Sequence, residues 1–229
     1  MRSIAAFLFI CANNFGVISA QHSYEVVVIT QLFLSSNFTT TYNFHASNTI
    51  DLIDEPVAGY VGTAISLHIR RPLSKYLMMQ TGVGYQHSGL INQRKYPDLD
   101  PNKYVAKVDY RDLVFPLQLC YAITQKTNNW YVQGGLVPSI LLSRAENITR
   151  YKVDNSSVTT TTYFTTNYRL VNLSLTVGAG YQFHVSENFD FLLQPTVTCN
   201  LYGARLKSVD IPINWHLYNF GITLGLIIK

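Results

Sequence analysis

From Gly59 to its C-terminus the chain alternates apolar and polar residues with a period of two, stretch after stretch. Val61, Thr63, Ile65, Leu67 and Ile69 fall on one side of an extended chain, with Tyr60, Gly62, Ala64, Ser66 and His68 on the other. Leu77 to Tyr85 repeats the pattern against Met78, Gln80, Gly82 and Gly84. Leu113 to Ile123, Trp130 to Leu142, Val171 to Phe183, Phe189 to Leu201 and His216 to Ile228 follow suit. Alternation of this length predicts strands with two different environments. Tyr24 to Leu34 is an eighth strand, of ambiguous register because Val26 to Ile29 is apolar throughout. Each stretch reaches the roughly 9–11 residues that a tilted membrane strand needs.

The connections run alternately long and short. The long ones are 35–57, 88–109, 144–167 and 203–213; the short ones are 70–74, 124–129 and 185–188. Long outer loops and short periplasmic turns in this order describe an all-β, eight-stranded, antiparallel up-and-down transmembrane β-barrel. A secreted β-sandwich is the alternative. The chain after residue 20 has no apolar run of the roughly 18 residues that a membrane helix requires. In lipid it would therefore have to close as a barrel, since only helices and closed barrels satisfy their backbones there. Tyr121, Trp130, Phe183 and Phe189 flank the short turns, and Tyr85, Tyr110 and Tyr218 lie toward the long connections, as aromatic girdles do.

The first twenty residues are of another kind. Met1-Arg2, the apolar Ile4–Cys11 and the small Ala20 before Gln21 have the form of a secretory signal, predicting a signal peptide at 1–20 and an outer-membrane β-barrel domain at 21–229. Charged residues make up 13% of the chain, against about 25% in soluble domains. So little charge suits a protein with one face in lipid. The net charge of +4 is spread along the chain, which excludes a nucleic-acid stripe. Cys120 and Cys199 fall on non-adjacent strands and opposite faces, too ill-placed for a disulfide.

Tyr76-Leu-Met-Met-Gln-Thr-Gly-Val-Gly-Tyr85, Tyr110-Arg-Asp-Leu-Val-Phe-Pro116-Leu-Gln-Leu119, Tyr131-Val-Gln-Gly-Gly-Leu-Val-Pro138-Ser-Ile-Leu-Leu142 and Val177-Gly-Ala-Gly-Tyr-Gln-Phe183 together resemble the PorT-like outer-membrane β-barrel domain family. The resemblance covers about Gly59 to the end. It implies a small outer-membrane barrel, most members of which have no assigned activity; the name-giving branch assists a protein secretion system. The chain departs from many outer-membrane barrels in ending on Lys229 rather than an aromatic residue. Gly221-Ile-Thr-Leu224-Gly-Leu226 nonetheless resembles the signal read by the barrel assembly machinery.

Candidate chemistry is sparse. The polar faces carry Gln80, Gln86, Gln118, Gln133, Asn172, Gln182, Gln194, Thr198 and Asn219, enough to plug an eight-stranded interior with hydrogen bonds. His45-Ala-Ser47 with Glu55, and His184-Val-Ser186-Glu187, have the elements of a serine hydrolase site. The second lies at a short turn, away from outer-leaflet lipid, and His87-Ser88 has no carboxylate beside it. No His or Cys pair has metal-ligand spacing, and no cofactor or catalytic residue is assigned. Arg111 and Arg169 fall on the apolar face at the outer strand ends, where a guanidinium suits lipopolysaccharide phosphate. Asn155 to Thr166 is Thr-rich and β-prone, able to prolong a hairpin above the membrane.

The expected function is thus a non-enzymatic barrel of the cell outer membrane that meets another protein or surface through its extracellular loops. Its expected partners are outer-membrane lipid and lipopolysaccharide, the assembly machinery during insertion, and a protein at the loops. A narrow transport or secretion-accessory barrel, revealed by conductance, is one alternative. A lipid hydrolase, revealed by loss of activity in Ser47→Ala, is the other.

Overall fold

The computed structural model describes residues 24–41, 54–96, 100–124, 128–152, 156–163, 170–201 and 213–229. The strands are β1 (Glu25–Thr41), β2 (Asp54–Ala58), β3 (Tyr60–Pro72), β4 (Leu77–Tyr96), β5 (Asp100–Val114), β6 (Leu117–Ala122), β7 (Asn129–Tyr151), β8 (Ser157–Tyr163), β9 (Val171–Ser186), β10 (Phe189–Asn200) and β11 (Ile213–Ile228). Three of these continue a neighbour in the chain. β2 leads into β3 across Gly59, β5 into β6 across Phe115-Pro116, and β8 lies in line with β9 against β7. The wall is a closed, eight-stranded antiparallel barrel, sealed where β1 pairs with β11. The predicted signal peptide lies outside the described residues.

The pairing sets the dimensions. From Val26 it passes to Ile69, Thr81, Leu117, Leu136, Leu175, Cys199 and Tyr218, and returns to β1 at Ser36, a stagger of ten residues. Eight strands with that stagger tilt by roughly 42° and enclose a radius of about 8 Å, a width that side chains can fill.

The alternation sorts as the sequence predicts. Val61, Ile65, Leu67, Ile69, Val83, Leu119, Val132, Leu175, Leu193 and Leu224 are exposed on the outer wall. A water-soluble protein would have to cover so broad an apolar surface; lipid solvates it. Gln80, Gln118, Gln133 and Gln194 are buried on the inner face. The register of β1 resolves with Val27, Ile29, Phe33 and Ser35 inward and Val26, Val28, Leu32 and Leu34 outward. Inside, bulky groups lie over glycines of the next strand. A Cβ on Gly180 would fall 2.6 Å from the Tyr131 ring, and one on Gly221 would collide with Phe33.

Two sequence expectations are corrected. The long connections are only partly loops, for strand pairing continues beyond the apolar band to Lys95 opposite Lys103, and Lys103 opposite Tyr151. Alternation ends where lipid ends, but a hydrogen-bonded ladder needs no apolar face. Tyr110 is no girdle residue either. Arg111 points outward, so Tyr110 points in, 5% exposed and packed with Leu90 and Val108.

Candidate functional site

The periplasmic half of the lumen is filled. Arg70 is 1% exposed, and its guanidinium donates to Gln80 Oε1 (3.3 Å) and Gln182 Oε1 (3.2 Å) and lies 3.7 Å from Glu25. Gln182 donates to Asp190 (2.6 Å), which also accepts from His184 Nδ1 (2.8 Å) and Lys229 Nζ (2.8 Å). Lys229, the departure from an aromatic C-terminus, is thereby tied to the barrel base. Val27, Ile29, Tyr131, Leu192 and Ile227 pack beside this network, and Tyr131 donates to Gln194 (2.7 Å). A buried charge costs several kcal/mol unless it is paired and hydrogen-bonded; here Arg70 and Asp190 are both.

The outer half is looser. One cavity of about 50 Å³ is bordered by Ser88, Asp112, Ser139, Asn172 and Asn219, and one of about 60 Å³ below it by Ser66, His68, Gln118 and Gln194. Gln86, Val114, Val137 and Thr198 border both. Each is large enough for a few waters. Leu90, Val108 and Tyr110, with Leu141 and Leu217, form an apolar cluster on the outer side.

Beyond the apolar band the wall rises as a five-stranded sheet ordered β2-β4-β5-β7-β8. At its foot Tyr60 contacts His87 (2.9 Å between Oη and Nε2) and donates to Asp109, while Lys107 lies 5.2 Å over its ring. Arg111 is exposed and stands opposite His87 across the β4–β5 pair. Arg169, the other predicted lipopolysaccharide contact, lies outside the described residues, as do His45 and Ser47. At the far side of the sheet all seven residues of β8 are exposed. Among the described strands β8 pairs with β7 alone.

Residues 20–202 match the outer membrane protein beta-barrel domain family. The chain belongs to that family. It is a membrane protein of the cell outer membrane. No curated protein matches it. Among solved structures it is similar to Neisserial surface protein A (12% identical over 92% of this chain and 99% of that one, TM-score 0.39). It is also similar to OprG of Pseudomonas aeruginosa (9% identical, 90% and 97% covered, TM-score 0.46). A third is AlkL in lipid bilayers (13% identical, 93% of each chain, TM-score 0.40).

In this outer membrane protein beta-barrel domain the serine–histidine pairs divide by geometry. His184 is held by Asp190 at the periplasmic rim, and among the described residues no hydrogen bond joins it to Ser186. A pair not foreseen from sequence lies in the lumen, with Ser66 Oγ 2.6 Å from His68 Nε2. Gln80 sets its tautomer. Arg70 can only donate, so Gln80 turns its oxygen to Arg70 and its amide nitrogen to His68 Nδ1 (3.2 Å). Nδ1 then accepts, and Nε2 carries the proton that it gives to Ser66. A histidine in that state cannot take the serine proton, so the pair serves packing of the lumen rather than nucleophile activation.

Proposed function

We propose that this protein is a non-enzymatic interaction barrel that captures an extended segment of another protein along β8, outside the cell. The observation that carries the reading is the open edge of β8. Ser157 to Tyr163 expose every side chain, and among the described residues they pair on one side only, with β7. Such an edge presents a row of unpaired N–H and C=O groups, which an added strand satisfies. Thr159, Thr160, Thr161 and Thr162 favour extended backbone without charge. Two cross-strand bonds, Thr149 with Thr159 (3.0 Å) and Thr161 to Asn147 (2.7 Å), hold β8 in place on the β7 side. The PorT-like family of small outer-membrane barrels is the proposed finer placement of the chain, supported by the glycine–tyrosine strand ends and by Pro116 inside the fourth predicted strand.

The test is selection of extended peptides from a displayed library against the barrel in lipid nanodiscs. Peptides that bind wild type should lose binding to the Thr159→Pro/Thr161→Pro variant, with the heat-shifted gel mobility of the folded barrel unchanged. Equal binding by both sinks the reading.

A second proposal concerns lipid. Arg111 and Lys107 are both exposed on one face of β5. This supports contact with lipopolysaccharide phosphate. Arg111→Glu/Lys107→Glu is expected to lower co-sedimentation with lipid A vesicles; unchanged co-sedimentation refutes the contact.

A further inference from the structure

A chain of side-chain hydrogen bonds runs across the foot of the extracellular sheet and links β3, β4, β5, β7 and β8. It centres on Asp109 of β5, whose side chain is 16% exposed. One carboxylate oxygen accepts from the Tyr60 hydroxyl of β3, with His87 Nε2 of β4 at 3.4 Å and Lys107 Nζ at 3.8 Å. The other accepts from Asn147 Nδ2 of β7 (3.3 Å), and Asn147 Oδ1 accepts from the Thr161 hydroxyl of β8 (2.7 Å). The strand register explains this reach. Asn147 stands opposite Lys107 on one side and Thr161 on the other, while Asp109 stands opposite Ala145. Diagonal neighbours on one face of a sheet can touch, and Ala145 is too small to fill the diagonal from Asn147 to Asp109.

The bonds to Asn147 have one direction. A carboxylate only accepts, so Asp109 turns the amide nitrogen of Asn147 toward itself and leaves the amide oxygen facing β8. Thr161 is then the donor. The other side-chain bond between these strands, Thr149 with Thr159 (3.0 Å), joins two rotatable hydroxyls, either of which can donate, and imposes no such orientation. Among the described residues β8 pairs with β7 alone, so whatever orders this face of β7 orders β8 as well. We infer that Asp109 positions β8 through Asn147 and, resting on the capture function proposed above, sets how tightly a partner strand binds there.

The experiment is amide hydrogen exchange of wild-type and variant barrels in lipid nanodiscs, read by mass spectrometry on the peptide spanning residues 157–163. Asp109→Leu should speed exchange of the protected β8 amides on the order of tenfold, with β9 to β11 unchanged. Asp109→Asn keeps an acceptor for Asn147 and should retain most of the protection. Asn147→Leu should match Asp109→Leu, and the double variant should be no faster than either single one. If Asp109→Leu does not fold, Asp109→Ser, whose hydroxyl stops short of Asn147, reads the same quantity. Unchanged β8 exchange on loss of the carboxylate overturns the inference, as does a double variant whose effect is the sum of the two. Asp109→Asn as fast as Asp109→Leu overturns it in favour of a charge effect on Lys107 and His87. Peptides selected on wild type should bind Asp109→Leu about tenfold more weakly; equal binding despite faster exchange overturns the consequence for capture. If no peptide binds wild type while β8 exchange responds as stated, the capture function fails and the positioning by Asp109 stands.

Discussion

Ile65→Arg tests whether the outer wall faces lipid. Ile65 is 57% exposed and lies midway along the outward row from Val61 to Ile69. Beyond Ile69 on the periplasmic side comes Arg71, which stacks 5.8 Å over Tyr24. Ile65 is four positions from Val61 and four from Ile69, and at a tilt of roughly 42° that is about 10 Å of depth either way. Ile65 thus sits at the midplane of a band about 20–25 Å tall. An arginine there is expected to cost about 2–4 kcal/mol, and one at Val61 about 0–1 kcal/mol. The midplane change therefore shifts the folded-to-unfolded ratio by roughly 30- to 900-fold. The assay is urea unfolding of the barrel refolded into phosphatidylcholine vesicles, with tryptophan fluorescence and gel mobility as coincident probes. A soluble sandwich exposing Ile65 to water would tolerate arginine at both positions within about 0.5 kcal/mol. Equal, small effects at Ile65 and Val61 refute the assignment of this face to lipid.

Three further outcomes follow from the interior. Arg70→Leu strands Gln80, Gln182 and Glu25 without their donor, and should cost about 3–5 kcal/mol in the same assay. Arg70→Lys should recover only part, because an ammonium lacks the guanidinium fork; a cost under about 1 kcal/mol for Arg70→Leu contradicts the network. Gly221→Ala drives a Cβ into Phe33 and the Leu32 carbonyl at the β1–β11 seam, and should cost about 1–3 kcal/mol. Gly134→Ala, whose nearest neighbour would be 3.8 Å away, should be near neutral, and equal effects at the two glycines speak against the seam. In a Cys199→Ser background, Cys120 should resist a maleimide until the barrel is heat-unfolded, since its thiol is buried against Gln133 (3.4 Å). Rapid labelling of the folded protein would mean that the lumen is open.

Period two was legible because lipid enforces it. An outward charge in the band costs free energy on every strand, so Val61 to Ile69 and Leu113 to Leu119 carry the pattern without interruption. β1 was ambiguous for a physical reason. Val27 and Ile29 point inward, yet they pack with Tyr131, Leu192 and Ile227, so neither face of the strand had to be polar. Its register follows from pairing with β3 and β11, which no local pattern reveals. The extracellular extensions were only partly legible. The Thr-rich run suggested a prolonged hairpin, but Val105, Lys107 and Asp109 alternate against nothing that lipid would exclude. Interior sites were harder still. Ser66 and His68 share a face on one strand, but the residue that fixes their chemistry, Gln80, comes from the next.

The two halves of the barrel divide the labour. At the base Arg70 and Asp190 are both matched, and the network joins β1, β3, β4, β9, β10 and the last residue into one lattice. That arrangement favours permanence, for moving any member strands a partner in a water-poor interior. Toward the outside the matching relaxes into neutral amides and small cavities. Above them stands a sheet whose terminal strand β8 pairs, among the described residues, with β7 alone. β7 connects these levels, since its 23 residues run from Asn129 beside the base to Tyr151 in the extracellular sheet. Tyr131 and Gln133 on that strand are locked into the lumen, while Ala145 to Tyr151 carry β8. The edge is therefore held by the same ladder that closes the barrel, and a partner added to β8 would meet a preorganised strand rather than a loop that must first be ordered.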